Sequence, residues 1–137
     1  VDVIAVDTNI LLDILIPGAS HASISLNALR KAGRNAQMVI CDIVYAEVAA
    51  QFAGSGLSID HFLRDAHIDL HPSSPIALQN AGVTWREYRR RGGSRERIVA
   101  DFLIGAHALL ETKALITRDE KFYKKNFLGL KIINPSS

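Results

Sequence analysis

The stretch VIAVDTNILLDIL, residues 3–15, decides how this chain is read. Its first four residues are apolar and mostly β-branched, the composition of a short strand buried on both faces. After Asp7 the apolar residues recur at helical spacing, and Thr8 stands near the start of a short helix. Asp7 therefore occupies a junction inside a segment otherwise built for a core. Burying an unpaired carboxylate is costly and ordinarily ends in a shifted pKa or a neighbouring cation. The sequence thus opens on a question of charge: which cation answers Asp7?

Working outward, short β-rich runs alternate with longer helical ones. AQMVIC (36–41), HIDLH (67–71), ALIT (114–117) and LKII (130–133) read as further strands. HASISLNALRKAG (21–33) is amphipathic, with Ile24, Leu26 and Leu29 inward and Gly33 as its stop. IVYAEVAAQFAG (43–54) follows, with Asp42 as its expected N-cap. Residues 58–66, 74–90, 94–111 and 120–126 complete the helices, with Pro75 tolerated in a first turn. Strands separated by helices imply βαβ crossovers, so the expected class is α/β, with a mostly parallel sheet covered on both faces.

Composition sets outer bounds. A chain of 137 residues reads as one domain, 1–137, large enough for a core without staples. Its 48% hydrophobic and 22% charged residues are those of a soluble globular protein. Cys41 stands alone and forms no internal disulfide, which suits a reducing cytoplasm. No apolar run reaches the roughly 18 residues of a membrane span. The apolar start carries two Asp and no basic segment, so it does not read as a signal peptide. A cytoplasmic location is expected.

Asp7 has company. In open α/β sheets, function gathers beyond the carboxyl ends of the strands. Asp7 ends the first strand, Glu47 lies one turn into the helix after the second, and Asp119 lies two residues beyond ALIT. Helix 94–111 is apolar or small nearly all round, which predicts burial, and between Ile98 and Leu110 its one formal charge is Asp101. Glu47 stands equally alone in IVYAEVAA. Each acid by itself fits an ion pair, a protonated acid or a cap, but three on one edge and a fourth from a buried helix, forced close, would repel unless compensated. Two divalent cations would balance them, and oxygen-only ligands favour Mg²⁺, with Mn²⁺ able to substitute. His21, His61, His67, His71 and His107 show no zinc-like spacing and read as surface or core residues.

Such a metal pair clamps the attacking and leaving oxygens of an in-line displacement at phosphorus. A matching substrate signal lies elsewhere. REYRRRGGSRER (86–97) holds six Arg against two Glu, while the chain as a whole carries only +2. Arg86, Arg89, Arg90, Arg91, Arg95 and Arg97 would attract a phosphodiester backbone, or else form a solvated helix end. Trp85, Tyr88 and Tyr45 could stack on bases but are expected to pack, and Gly105 and Ala106 are expected to let their helix approach the first strand.

These motifs resemble PIN-domain ribonucleases, in particular the VapC-type toxins of bacterial and archaeal toxin–antitoxin modules. The resemblance is carried in order by VDTNILLD (6–13), YAEVAAQF (45–52), ADFLIGAHAL (100–109), LITRDEKFY (115–123) and LKIINP (130–135). It implies a PIN-like α/β/α sandwich with four to five strands. It places the family's four acids, as catalytic and metal-holding residues, on Asp7, Glu47, Asp101 and Asp119. Thr8 and Thr117 would orient those carboxylates, and Asn9 would tie the site's backbone or cap a helix. A homodimer, a small DNA-binding VapB-type antitoxin and a structured RNA substrate such as tRNA or rRNA are further implications, with no membrane role.

Competing readings keep the same acids. A PIN nuclease outside toxin biology, acting in RNA processing or on structured DNA, and a non-catalytic PIN-like RNA-binding module are the alternatives. A phosphoacceptor receiver would need an acidic pair near strand one and a Lys on a later strand. A haloacid-dehalogenase-type phosphatase would need a second Asp at position 9, which is Asn.

Overall fold

The computed structural model describes residues 1–94 and 99–136. Five strands form one sheet: β1 (Asp2–Val6), β2 (Ala36–Ile40), β3 (Ile68–Leu70), β4 (Ala114–Ile116) and β5 (Ile132–Ile133). Their order is β3-β2-β1-β4-β5, and every neighbouring pair is parallel. Parallel strands need crossovers, and helices supply them. Among the described residues these are α1 (Thr8–Leu15), α2 (Ala22–Gly33), α3 (Asp42–Phe52), α4 (Ile59–Asp65), α5 (Pro75–Arg90), α6 (Val99–Glu111) and α7 (Glu120–Asn126). The result is an α/β/α sandwich.

The central strands are apolar because they are covered on both faces. Val6, Val39, Ile40, Leu115 and Ile116 are all but sealed from solvent. Register matters more for function. Val6 pairs with Ile116, so β1 and β4 end level. The ladder continues one step further: Asp7 N donates to Ile116 O at 3.0 Å, and Thr117 N donates to Ile133 O at 3.1 Å. Residues 7 and 117 are thereby fixed side by side at the carboxyl edge.

An aromatic cluster supports that edge from beneath. Tyr88 of α5, Phe102 of α6, Phe122 and Tyr123 of α7, and Phe127 stack in tilted or edge-on pairs with centroids 5.1–6.4 Å apart. Tyr88 thus packs, as expected. Gly105 permits the closest approach: a Cβ there would overlap the Phe127 ring. Its tight neighbour is that ring and not strand one, contrary to expectation.

Other local expectations change for identifiable reasons. Cys41, not Asp42, takes the N-cap position of α3, because the Asp42 carboxylate accepts from Ser73 N at 3.2 Å instead. α2 stops at Gly33 as expected, but without left-handed geometry at that residue. Ile24 faces outward at 37% exposure, whereas Ser25 is fully buried because its hydroxyl finds a carboxylate partner on α1.

Candidate active site

Asp7 caps α1 and is 5% exposed. Four donors converge on its two oxygens. Thr8 N reaches Oδ1 at 2.7 Å, Thr117 Oγ1 reaches Oδ2 at 2.7 Å, and Asn9 Nδ2 approaches Oδ2 at 3.5 Å. The Tyr123 hydroxyl is the fourth. None of the four is a cation, and among the described residues no Lys, Arg or His pairs with Asp7. Burial dominates these hydrogen bonds and raises the carboxyl pKa from 3.8 to about 6, with a smaller contribution from the nearby charge of Asp101.

Thr117 is the hub of the arrangement. It has no exposed surface, yet its single hydroxyl is fully used. It donates to Asp7 and accepts from Asn9 Nδ2 at 3.2 Å and from Asp119 N at 3.0 Å. Asn9 closes the loop, because its Oδ1 accepts from Arg118 N at 3.4 Å. Asn9 therefore ties α1 to the end of β4, while Asp7 takes the helix-capping role. Asp119 occupies the cap position of α7 but makes no side-chain cap bond there.

The other acids approach from separate elements. Asp101 and Asp119 are half-buried, and with Asp7 all three bear on the buried Tyr123 hydroxyl. Its burial, and then the charges of these acids, raise the Tyr123 pKa well above 10.0, so it remains a donor. Glu47 overturns the expectation of a charge in a buried helix: it is exposed, as are Ala46 and Ala50 beside it. α3 is apolar there because its residues are small, and composition alone could not distinguish this from burial. Thr8 Oγ1 donates to Glu47 Oε1 at 2.7 Å, which links Glu47 to the residue beside Asp7.

A second buried acid lies close by. Asp13 forms a two-pronged pair with Arg118, Nε to Oδ2 at 2.8 Å and Nη2 to Oδ1 at 2.9 Å, and accepts from Ser25 Oγ at 2.6 Å. The nearest guanidinium in sequence to Asp119 is thus committed to Asp13.

The family model of the PIN domain matches residues 4–128. The chain belongs to the PIN-domain family. Its fold is similar to solved VapBC structures. For VapBC2 of Rickettsia felis bound to a promoter DNA fragment, the TM-score is 0.76 at 24% identity, over 96% of this chain and 98% of that one. VapBC-1 of nontypeable Haemophilus influenzae gives a TM-score of 0.72 at 17% identity, over 98% and 99%. DNA-bound VapBC of Salmonella typhimurium gives 0.71 at 16%, also over 98% and 99%. At these identities the likeness is one of fold. A search of curated proteins by sequence found no significant match.

In this PIN domain Arg86, Arg89, Arg90 and Arg91 are exposed at the end of α5, whereas Arg95 and Arg97 lie outside the described residues. Arg89 and Arg90 fall in the last helical turn, where positive charge complements the helix dipole. Arg89 also lies 5.3 Å over the Trp85 ring, and Arg91 reaches Asn126 Oδ1 at 3.3 Å. The residue of the site that sequence reasoning missed is Tyr123 on α7, which reads as one more apolar position in KFYKKNF. Its i+4 spacing from Asp119 was the available signal. A separate apolar groove of about 570 Å³, lined by Leu26, Leu29, Met38 and Phe62 among others, opens by Gly33 and Ala36 at the opposite, amino edge of β2. No described helix is long and apolar enough to cross a membrane.

Proposed function

We propose that this PIN domain, as a single unit over residues 1–137, is a divalent-metal-dependent endoribonuclease. It would hydrolyse phosphodiester bonds of structured, tRNA- or rRNA-like RNA and act as the toxin of a toxin–antitoxin pair. The observation that carries this reading is the state of Asp7. A carboxylate is buried at the carboxyl edge, gripped by neutral donors, with Asp101 close enough to disfavour its charge and no cation among the described residues to offset it. That is a donor set with unmet demand for positive charge, and an all-oxygen set fits Mg²⁺ or Mn²⁺.

Asp7, Glu47, Asp101 and Asp119 would hold the metal. When bound, it supplies Lewis acidity and a more acidic water at phosphorus. The chain's own residues prepare the place. Thr117, Tyr123 and the Thr8 amide fix the Asp7 carboxylate, the Thr8 hydroxyl orients Glu47, and the Thr117 oxygen pins the Asp119 backbone. Cys41 offers no rival nucleophile, because burial pushes its thiol up to about 11 and keeps it protonated. The exposed arginines of α5 sit at the end of that helix nearest α7 and supply charge for an RNA backbone.

Similarity to solved VapBC assemblies supports a VapB-type, DNA-binding antitoxin as partner, and a homodimer accompanies that reading. The test is cleavage of total RNA by the purified chain with Mg²⁺, Mn²⁺ or chelator. Metal-dependent cutting is expected. Asp7→Asn and Asp101→Asn should lower it by roughly 10²–10³-fold, the cost of removing one preorganised electrostatic group, while the circular dichroism spectrum stays unchanged. No cutting with either ion overturns the nuclease reading. Cutting of structured DNA but not RNA overturns the substrate. Growth unaffected by expression of the active chain overturns the toxin role.

A further inference from the structure

Away from the acids, three residues distant in sequence converge. His71 follows β3, and His107 and Glu111 lie four apart on one face of α6. One ligating atom from each lies within 4.8 Å of the other two. His71 Nδ1 is 3.1 Å from His107 Nε2 and 3.9 Å from Glu111 Oε1. A tetrahedral zinc ion with bonds of about 2.0–2.1 Å sets neighbouring ligand atoms about 3.3 Å apart, so these separations need only small adjustment. We propose that His71, His107 and Glu111 form a zinc-class metal site that ties the segment after β3 to α6.

Three features favour an ion over a plain hydrogen-bonded trio. His107 is 1% exposed, so packing fixes its ring with Nε2 toward His71. The carboxylate is already oriented: Ser74 N donates to Glu111 Oε2 at 3.0 Å, leaving Oε1 toward His71. The His71 side chain is 45% exposed, so a fourth position is open to water. Both rings would bind with their protons on the outer nitrogens. Two imidazoles and one carboxylate suit zinc far better than magnesium. His107 lies six residues along α6 from Asp101, about 9 Å at 1.5 Å per residue, so the ion would not share the acidic pocket.

The experiment is zinc binding by the chelator-stripped full chain in millimolar Mg²⁺, read by equilibrium dialysis and by the visible spectrum of the Co²⁺ form. One tightly held equivalent with a tetrahedral cobalt spectrum is expected. His71→Ala, at a half-exposed position, should weaken binding by more than about 100-fold, since even outer partners cost 10–100-fold. Glu111→Gln should weaken it in the same direction, and Asp7→Asn should bind as the parent does. No zinc uptake by the parent, undiminished uptake by His71→Ala, or loss of the zinc in Asp7→Asn would each overturn the assignment. The last would give the ion to the acidic pocket. Because the readout is binding, the outcome stands apart from whether the chain cuts RNA.

Discussion

Asp7 and Asp13 sit six residues apart at the two ends of one short helix, both almost wholly buried, yet their environments are opposite. Asp13 is met by the Arg118 guanidinium and the Ser25 hydroxyl, which hold its carboxyl below the ordinary range despite burial. Asp7 is met by neutral donors, and burial lifts it to about 6. This fold can neutralise an inward acid with its own arginine, and among the described residues it does so at Asp13. What separates a structural acid from a candidate ligand here is the lack of a cation partner among the described residues, not the burial.

The contrast can be broken by measurement. The largest stability effect belongs to Asp13→Ala, which strands the partly buried Arg118 charge. A loss of about 3 kcal/mol is expected by urea unfolding, near the lower limit for broken buried pairs because Arg118 keeps some solvent contact. A loss near zero would make Asp13 no anchor at all. Next comes metal. If the native pocket binds Mg²⁺, raising the ion to about 100 times its Kd should stabilise the parent by about 2.7 kcal/mol and leave Asp7→Asn unmoved.

The third test uses pH. The folded pKa of Asp7 lies above its unfolded value, so its protonated form stabilises the fold at low pH, and that contribution is lost as pH rises from 3.8 to about 6. Asp13 runs the other way: its stabilisation is present above 3.8 and lost as pH falls through its lowered value. In chelator, Asp7→Asn should therefore be more stable than the parent by about 2 kcal/mol at neutral pH and above, at 1.36 kcal/mol per pKa unit and discounted for one mismatched donor. The gain should vanish below 3.8. The smallest effect is that of Tyr123→Phe. Removing one hydroxyl donor from the carboxylate should cost about 1 kcal/mol and move the acid limb of cleavage to higher pH by less than about one unit.

Much of this frame was legible in the sequence, for a physical reason. Strands buried on both faces must be apolar throughout, so VIAV, MVI and ALI announced themselves, and the helices between them forced parallel crossovers. Asp7 and Asp119 were legible as edge residues because each closely follows such a strand. The environment of each acid was not. Nothing in RDE says that Arg118 turns to Asp13, 105 positions earlier, and nothing in IVYAEVAA separates small from buried. His71 and His107, 36 positions apart, showed no ligand spacing because the fold, not the chain, brings them together. Periodicity reports which face a residue takes. It does not report what stands opposite.

Thr117, Arg118 and Asp119 follow one another at the end of β4, and their side chains part company: the first grips Asp7, the second crosses to Asp13, the third bears on Tyr123. The pairing of Ile116 with Val6 sets that alternation. A slip of one residue would send a guanidinium into the pocket where a hydroxyl now stands. Sheet alignment therefore acts as an electrostatic selector, and deletion of Thr117 alone would silence the pocket without removing a single acid.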